Sequence, residues 1–192
     1  MHKLRAKLIG KWLNANGEVL TFTDGGNFII TSPELQANPK MPKEITATFV
    51  LTEDLQLKVI TNTKPVISEF SVDSELLRIK TKSGDFAEYR HYSNKAVAEL
   101  ILRDLRILDS AVDQWAIELN KKVGDRPTPA DVRKYLPKNS RLSRAFADPA
   151  GPKDLLGNPY GELVVDQLPK VNPATARALS DVPKTFWEKF ID

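Results

Sequence analysis

The sequence has no cysteine and only two histidines in 192 residues. The first absence excludes disulfides, thiolate-bound zinc and thiol nucleophiles. The second leaves little material for general-base catalysis near neutral pH. His2 stands at the start of the chain. His91 lies among Tyr89, Arg90 and Tyr92 on a strand-like run, with no serine or aspartate at a recognisable catalytic spacing. No serine occupies a nucleophile elbow, and Asp24-Gly25-Gly26-Asn27 reads as a hairpin turn rather than a phosphate cradle. Long apolar runs are missing too. Nothing approaches the ~20 residues of a bilayer span, and MHKLRAKLIGKW lacks the apolar core of a signal peptide. A net charge of +3, with both signs mixed through each half, gives little support to a nucleic-acid partner.

What is present is an ordinary globular balance, 41% hydrophobic and 28% charged, so a packed core is affordable in one large or two small domains. The pattern changes at Ser93, which divides the chain into 1–92 and 93–192. Before it, eight short runs alternate with turn chemistry: Leu8–Leu13, Glu18–Thr23, Asn27–Thr31, Glu44–Leu51, Leu55–Ile60, Val66–Val72, Glu75–Thr81 and Phe86–Tyr92. Alternation is clearest at Ile45, Ala47, Phe49 and Leu51. This spacing predicts an antiparallel barrel or strongly curved sheet with one face of each strand turned inward. Phe22, Phe28, Phe49, Leu57 and Phe70 then either fill the core or line a pocket for a small apolar ligand, beneath a Pro-bearing loop, Ser32–Lys43, from which Leu35 or Met41 could dip inward.

Gly10-Lys11-Trp12, the following GEVLTFTDGGNFII and the closing EYRHY resemble a small lipocalin-like domain. That resemblance implies that Gly10 and Trp12 open the barrel and that Arg90, on the last strand, lies across the Trp12 ring and closes the floor.

After Ser93 the apolar positions Ile101, Leu105, Leu108, Val112, Trp115 and Leu119 fall in steps of three and four, which predicts one long amphipathic helix ending near Lys121-Lys122. Glu99, Arg103, Asp104, Arg106, Asp109, Asp113 and Glu118 are read as its solvated face. Short helices are expected after Thr128-Pro129, from Ser140 and after Asn172-Pro173, with a strand over Gly161 to Asp166 and an aromatic anchor in TFWEKF. The basic group Arg133, Lys134, Lys138, Arg141 and Arg144 is a weak electrostatic footprint for nucleic acid or an acidic partner, since acidic residues flank it.

The run DLRILDSAVDQWAIELNKKVGDRPTPADVRKYL, with LLGNPYGEL, VNPATARAL and FWEKF, resembles the soluble part of a type II secretion pseudopilin or type IV pilin-like protein. The resemblance implies a long helix packed on a small sheet, reached through the turn Gly157-Asn158-Pro159-Tyr160. It departs from that family in the charged first turns of the helix, Lys95, Glu99, Arg103 and Asp104, which argue against assembly into a filament. Asp148, Asp154, Asn158 and Asp166 offer oxygens, but the family's calcium-binding stretch is not recognisable, and no metal or other cofactor is assigned. The expectation is an α+β, two-part, non-enzymatic binding or scaffolding protein, periplasmic or extracellular by analogy with both families, whose partner is a protein or a small apolar ligand.

Overall fold

The computed structural model describes residues 2–33, 35, 40–61 and 64–191. The chain separates into two compact units, Met1–Ala96 and Val97–Asp192, with the division inside the first turn of the long helix.

The first unit begins with a helix the sequence pattern did not reveal, α1 (His2–Leu8). Nine strands follow among the described residues: β1 (Gly10–Asn14), β2 (Val19–Phe22), β3 (Asn27–Thr31), β4 (Ile45–Leu51), β5 (Leu57–Ile60), β6 (Pro65–Ser68), β7 (Phe70–Val72), β8 (Leu76–Lys80) and β9 (Phe86–His91). All neighbouring pairs are antiparallel, in the order β6-β5-β4-β3-β2-β1-β9-β8-β7. The two ends of that order, β6 and β7, are consecutive in the chain and separated only by Glu69. One extended run therefore pairs with β5 through its first half and with β8 through its second, and the Lys80 amide donates to the Glu69 carbonyl at 2.9 Å where it changes partner. The sheet is curled into a nearly closed antiparallel barrel.

Period-two alternation fills that barrel. Trp12, Leu20, Phe22, Phe28, Ala47, Phe49, Leu57, Leu77 and Tyr89 are buried together with Leu8 of α1. Polar turns join the strands. The Asp73 carboxylate accepts from the Glu75 and Leu76 amides, both at 2.8 Å, and these backbone bonds hold its pKa below the usual carboxylate value.

The second unit is built on α2 (Asn94–Glu118), 25 residues long, whose first turn is capped by the Ser93 hydroxyl accepting from the Ala96 amide. It ends earlier than its hydrophobic spacing predicts. Asn120 takes a positive φ of 49° and the Lys121 amide turns back to the Ala116 carbonyl, so Leu119, counted into the stripe by spacing, is 50% exposed. Three short helices follow: α3 (Pro129–Arg133), with a Thr128/Asp131 capping box, α4 (Arg141–Ala145), capped by Ser140, and α5 (Pro173–Ala178), capped by Asn172. A 3₁₀ turn, Lys184–Phe190, closes the chain and buries Trp187 and Phe190. Leu108, Val112, Trp115, Val132, Leu136, Leu142, Phe146 and Val165 form a core of this unit.

The small sheet implied by the pilin-like resemblance is not found among the described residues. Gly161 to Asp166 contributes only an isolated bridge, Val164 to Gln167, and a second bridge joins Lys153 to Pro159. The physical reason lies nearby: Asp166 adopts φ 67°, which reverses the chain before a ladder can extend.

Candidate functional site

Two places gather the residues singled out by sequence. In the barrel, Phe22, Phe28, Phe49 and Leu57 all point inward and are nearly inaccessible. The Phe22 ring lies 4.9 Å from Phe28 and 5.1 Å from Phe49, centroid to centroid, the latter edge-on. Phe70 is partly buried against the same cluster. These five positions pack on one another and on their strand neighbours.

The closing contact at Trp12 differs from the one the resemblance implies. Trp12 pairs with His91 and Leu13 with Arg90, so by strand alternation Arg90 belongs to the opposite face from the Trp12 ring. The ring that meets Trp12 is the His91 imidazole, 5.1 Å away at 67°, while Arg90 is exposed. Gly10 is explained by this contact: its φ is +135°, and a Cβ there would stand 3.2 Å from His91 Nε2. The guanidinium that does lie on a barrel ring comes from α1. Arg5 sits 5.3 Å from the Phe49 centroid and donates to the Asp24 carbonyl at 2.9 Å. Trp12 Nε1 in turn donates to the Leu8 carbonyl at 2.9 Å, which fixes α1 to β1. Spacing hid this helix because its single buried residue, Leu8, also fits a strand. In the Ser32–Lys43 loop, Leu35 is buried and Met41 is 45% exposed, while residues 34 and 36–39, Pro39 among them, lie outside the described residues.

The second place is a buried polar network that sequence reasoning missed. Asp104 of α2 is 3% exposed and paired with Arg141 of α4, itself 7% exposed. Spacing alone places Asp104 on the solvated helix face and Arg141 in the basic cluster; the structure removes both from those surfaces. Their burial is tolerable because each neutralises the other. Of the remaining basic group, Lys134 pairs with Asp131 at 3.3 Å and Arg144 donates to the Asn139 carbonyl. A signal for Asp104 did exist. It follows Ile101 by three residues and precedes Leu108 by four, which puts it beside the apolar stripe rather than opposite it.

Gly157-Asn158-Pro159-Tyr160 joins this network. The Tyr160 hydroxyl donates to Asp104 at 3.0 Å, and burial pushes its pKa up to about 12; the nearby Arg141 cation works against that rise and Asp154 adds to it. Asp154 accepts from the Leu156 and Asn158 amides at 2.9 and 3.0 Å through one carboxylate oxygen and from the Thr175 hydroxyl through the other. Asn158 Nδ2 donates to Thr175 at 2.9 Å, Asn172 Nδ2 donates to the Pro159 carbonyl at 3.0 Å, and Gly157 supplies the positive φ of 82° that the turn needs. Thr175 is fully buried, so its carboxylate-bound hydroxyl has no surface from which to meet a substrate. Of the oxygens considered for calcium, those of Asp154 are taken by these bonds, and Asp148 accepts from the Ala150 amide. Among the described residues no group of three or more histidine or carboxylate side chains is placed to hold a metal ion, and no helix is long and apolar enough to cross a membrane. No protein-family model, no curated protein and no solved structure matches this chain.

Proposed function

We propose that this chain is a non-enzymatic binding or scaffolding protein, formed from a barrel whose interior serves as core and a helical unit organised by a buried polar network. The observation that carries the reading is the mutual packing of Phe22, Phe28 and Phe49, at ring separations of 4.9 and 5.1 Å, in the space a carried ligand would need. The pairing of Asp104, Arg141, Asp154 and Thr175 with one another adds support, because groups able to do chemistry are engaged in holding the fold. The finer assignments rest on residues alone: lipocalin-like on Gly10 and Trp12, pseudopilin-like on Gly157 to Tyr160, and a place outside the cytoplasm on both.

Native mass spectrometry of freshly purified protein, compared with its denatured mass, tests this. A bare native mass is expected. A reproducible extra mass lost on denaturation would overturn the reading in favour of a carrier of a small apolar ligand, for which the buried Leu35 in the Ser32–Lys43 loop is the favouring observation.

A further inference from the structure

We infer that the free edge of β6 docks an extended, acid-bearing peptide segment of a protein partner by strand addition. This deepens the binding reading and rests on it. The barrel is closed through the continuity of the chain from β6 to β7; among the described residues β6 is an end strand of the sheet, with β5 on one side and no strand on the other. An unpaired edge carries backbone donors and acceptors that another strand can take up.

Three further observations converge on this edge. Val66 is 42% and Ile67 54% exposed, and by register Ile67 shares the outer face with Lys58 and Val50, with Ile60 diagonal to it; Ile60 is 40% and Val50 41% exposed. An added strand would extend that apolar outer face by one row. The outer face of β8 and β9, by contrast, carries the Arg78–Glu88 ion pair, at 2.8 Å. Beside the edge lies an open depression of about 170 Å³, lined by Val66, Ile67 and Ser68 together with Lys80, Thr81 and Lys82. It has room for a side chain of the incoming segment.

Charge selects the partner. The carboxylate at this point, Glu69, is already paired with Lys80 at 2.7 Å, which leaves the exposed Lys82 on the wall and the exposed Lys64 just before the strand as the groups an incoming segment would meet. The fitting occupant alternates apolar and small polar residues and carries a carboxylate at the end that enters the depression. Pro65, which has no amide hydrogen, limits pairing to Val66–Ser68, so the interaction is short and reversible.

The test uses the full chain and two fluorescein-labelled heptapeptides of alternating valine and threonine, one ending in two aspartates and the other in two lysines, followed by fluorescence anisotropy. The acidic peptide is expected to bind at least 10-fold more tightly than the basic one. Ile67→Lys and Lys82→Glu, both at exposed positions, are each expected to weaken it at least 10-fold while the circular dichroism spectrum and melting temperature stay unchanged. Binding by neither peptide, or binding that both variants retain, overturns the assignment. So does a wild-type dimer in sedimentation that Ile67→Lys dissociates, since the edge would then belong to a second copy. None of these failures adds a ligand mass beyond that of whole chains to the native species, so this inference and the binding reading fall separately.

Discussion

Removing Arg141 alone leaves Asp104 as an uncompensated charge at 3% exposure, and removing Asp104 alone leaves the guanidinium at 7%. Breaking a buried pair from one side costs about 3–5 kcal/mol, because the surviving ion keeps its desolvation cost without its partner. Arg141→Met and Asp104→Leu are each expected to destabilise the helical unit by that amount, which at about 1.4 kcal/mol per decade is roughly a 100-fold or greater rise in the opening equilibrium. The double variant behaves differently. With both charges gone the main residual cost is the Tyr160 hydroxyl, whose acceptor at 3.0 Å has been removed, about 1–3 kcal/mol. Adding Tyr160→Phe removes that cost as well. Amide hydrogen exchange read by mass spectrometry on fragments covering Ile101–Leu108 and Arg141–Phe146 reports the unit directly. Single variants whose protection stays within about threefold of wild type, or a double variant no better than either single, would refute the reasoning.

Phe49→Ala is expected to destabilise the barrel by about 3–5 kcal/mol, because the ring is 1% exposed and in edge contact with Phe22. Urea unfolding followed by exchange of β2–β5 fragments measures it, and a loss below ~1 kcal/mol would mean that the ring borders empty space instead of filling it. The second expectation concerns alkaline pH. Tyr160 is raised to about 12 by burial against an ordinary 10.0, so the unfolded chain releases this proton first. Its contribution is complete below pH 10 and is lost as pH climbs from 10 to about 12, roughly 2–3 kcal/mol in all. Tyr89, raised by burial and by its hydrogen bond to Glu18, loses its contribution in the same direction. Denaturation midpoints between pH 9 and 12 should therefore fall more steeply for wild type than for Tyr160→Phe; equal slopes would contradict the burial of the hydroxyl.

The barrel was legible because its information is local. Turn residues at close spacing and a period of two at Ile45 to Leu51 suffice to place strands, and Val66–Val72 reads as one run because it is one run, interrupted at Glu69 where it exchanges partners. The contact at Trp12 was not legible, since it depends on register: Trp12 faces His91, and a shift of one residue would have brought Arg90 to that position. On α2 the stripe from Ile101 to Trp115 is buried as the spacing predicts, yet Asp104 is buried with it. Periodicity tells which side of a helix is apolar. It does not reveal an oppositely charged residue 37 positions later, Arg141, that makes a carboxylate acceptable at the border of that side.

The same long-range pairing accounts for the Gly-Asn-Pro-Tyr turn. Helices of five or six residues, as α3, α4 and α5 are, cannot sustain themselves, because nucleating a helix costs more than so few internal hydrogen bonds return. Their capping residues lower that cost, but caps fix only the ends. What orients the segments relative to α2 is the buried network: Arg141 carries α4 to Asp104, Tyr160 carries the turn to the same carboxylate, and Asp154 with Asn158 carries the turn to Thr175 of α5. Each of these groups would be costly to bury alone, so arrangements that separate them are penalised more strongly than arrangements that merely loosen apolar contacts. In a unit whose extended segments form only isolated bridges, directional polar bonds define the arrangement that a sheet's ladder would otherwise impose. The turn residues that resemble a pilin's are thus accounted for in this chain by internal bonding, and an interaction surface is better sought where the barrel leaves a strand edge open.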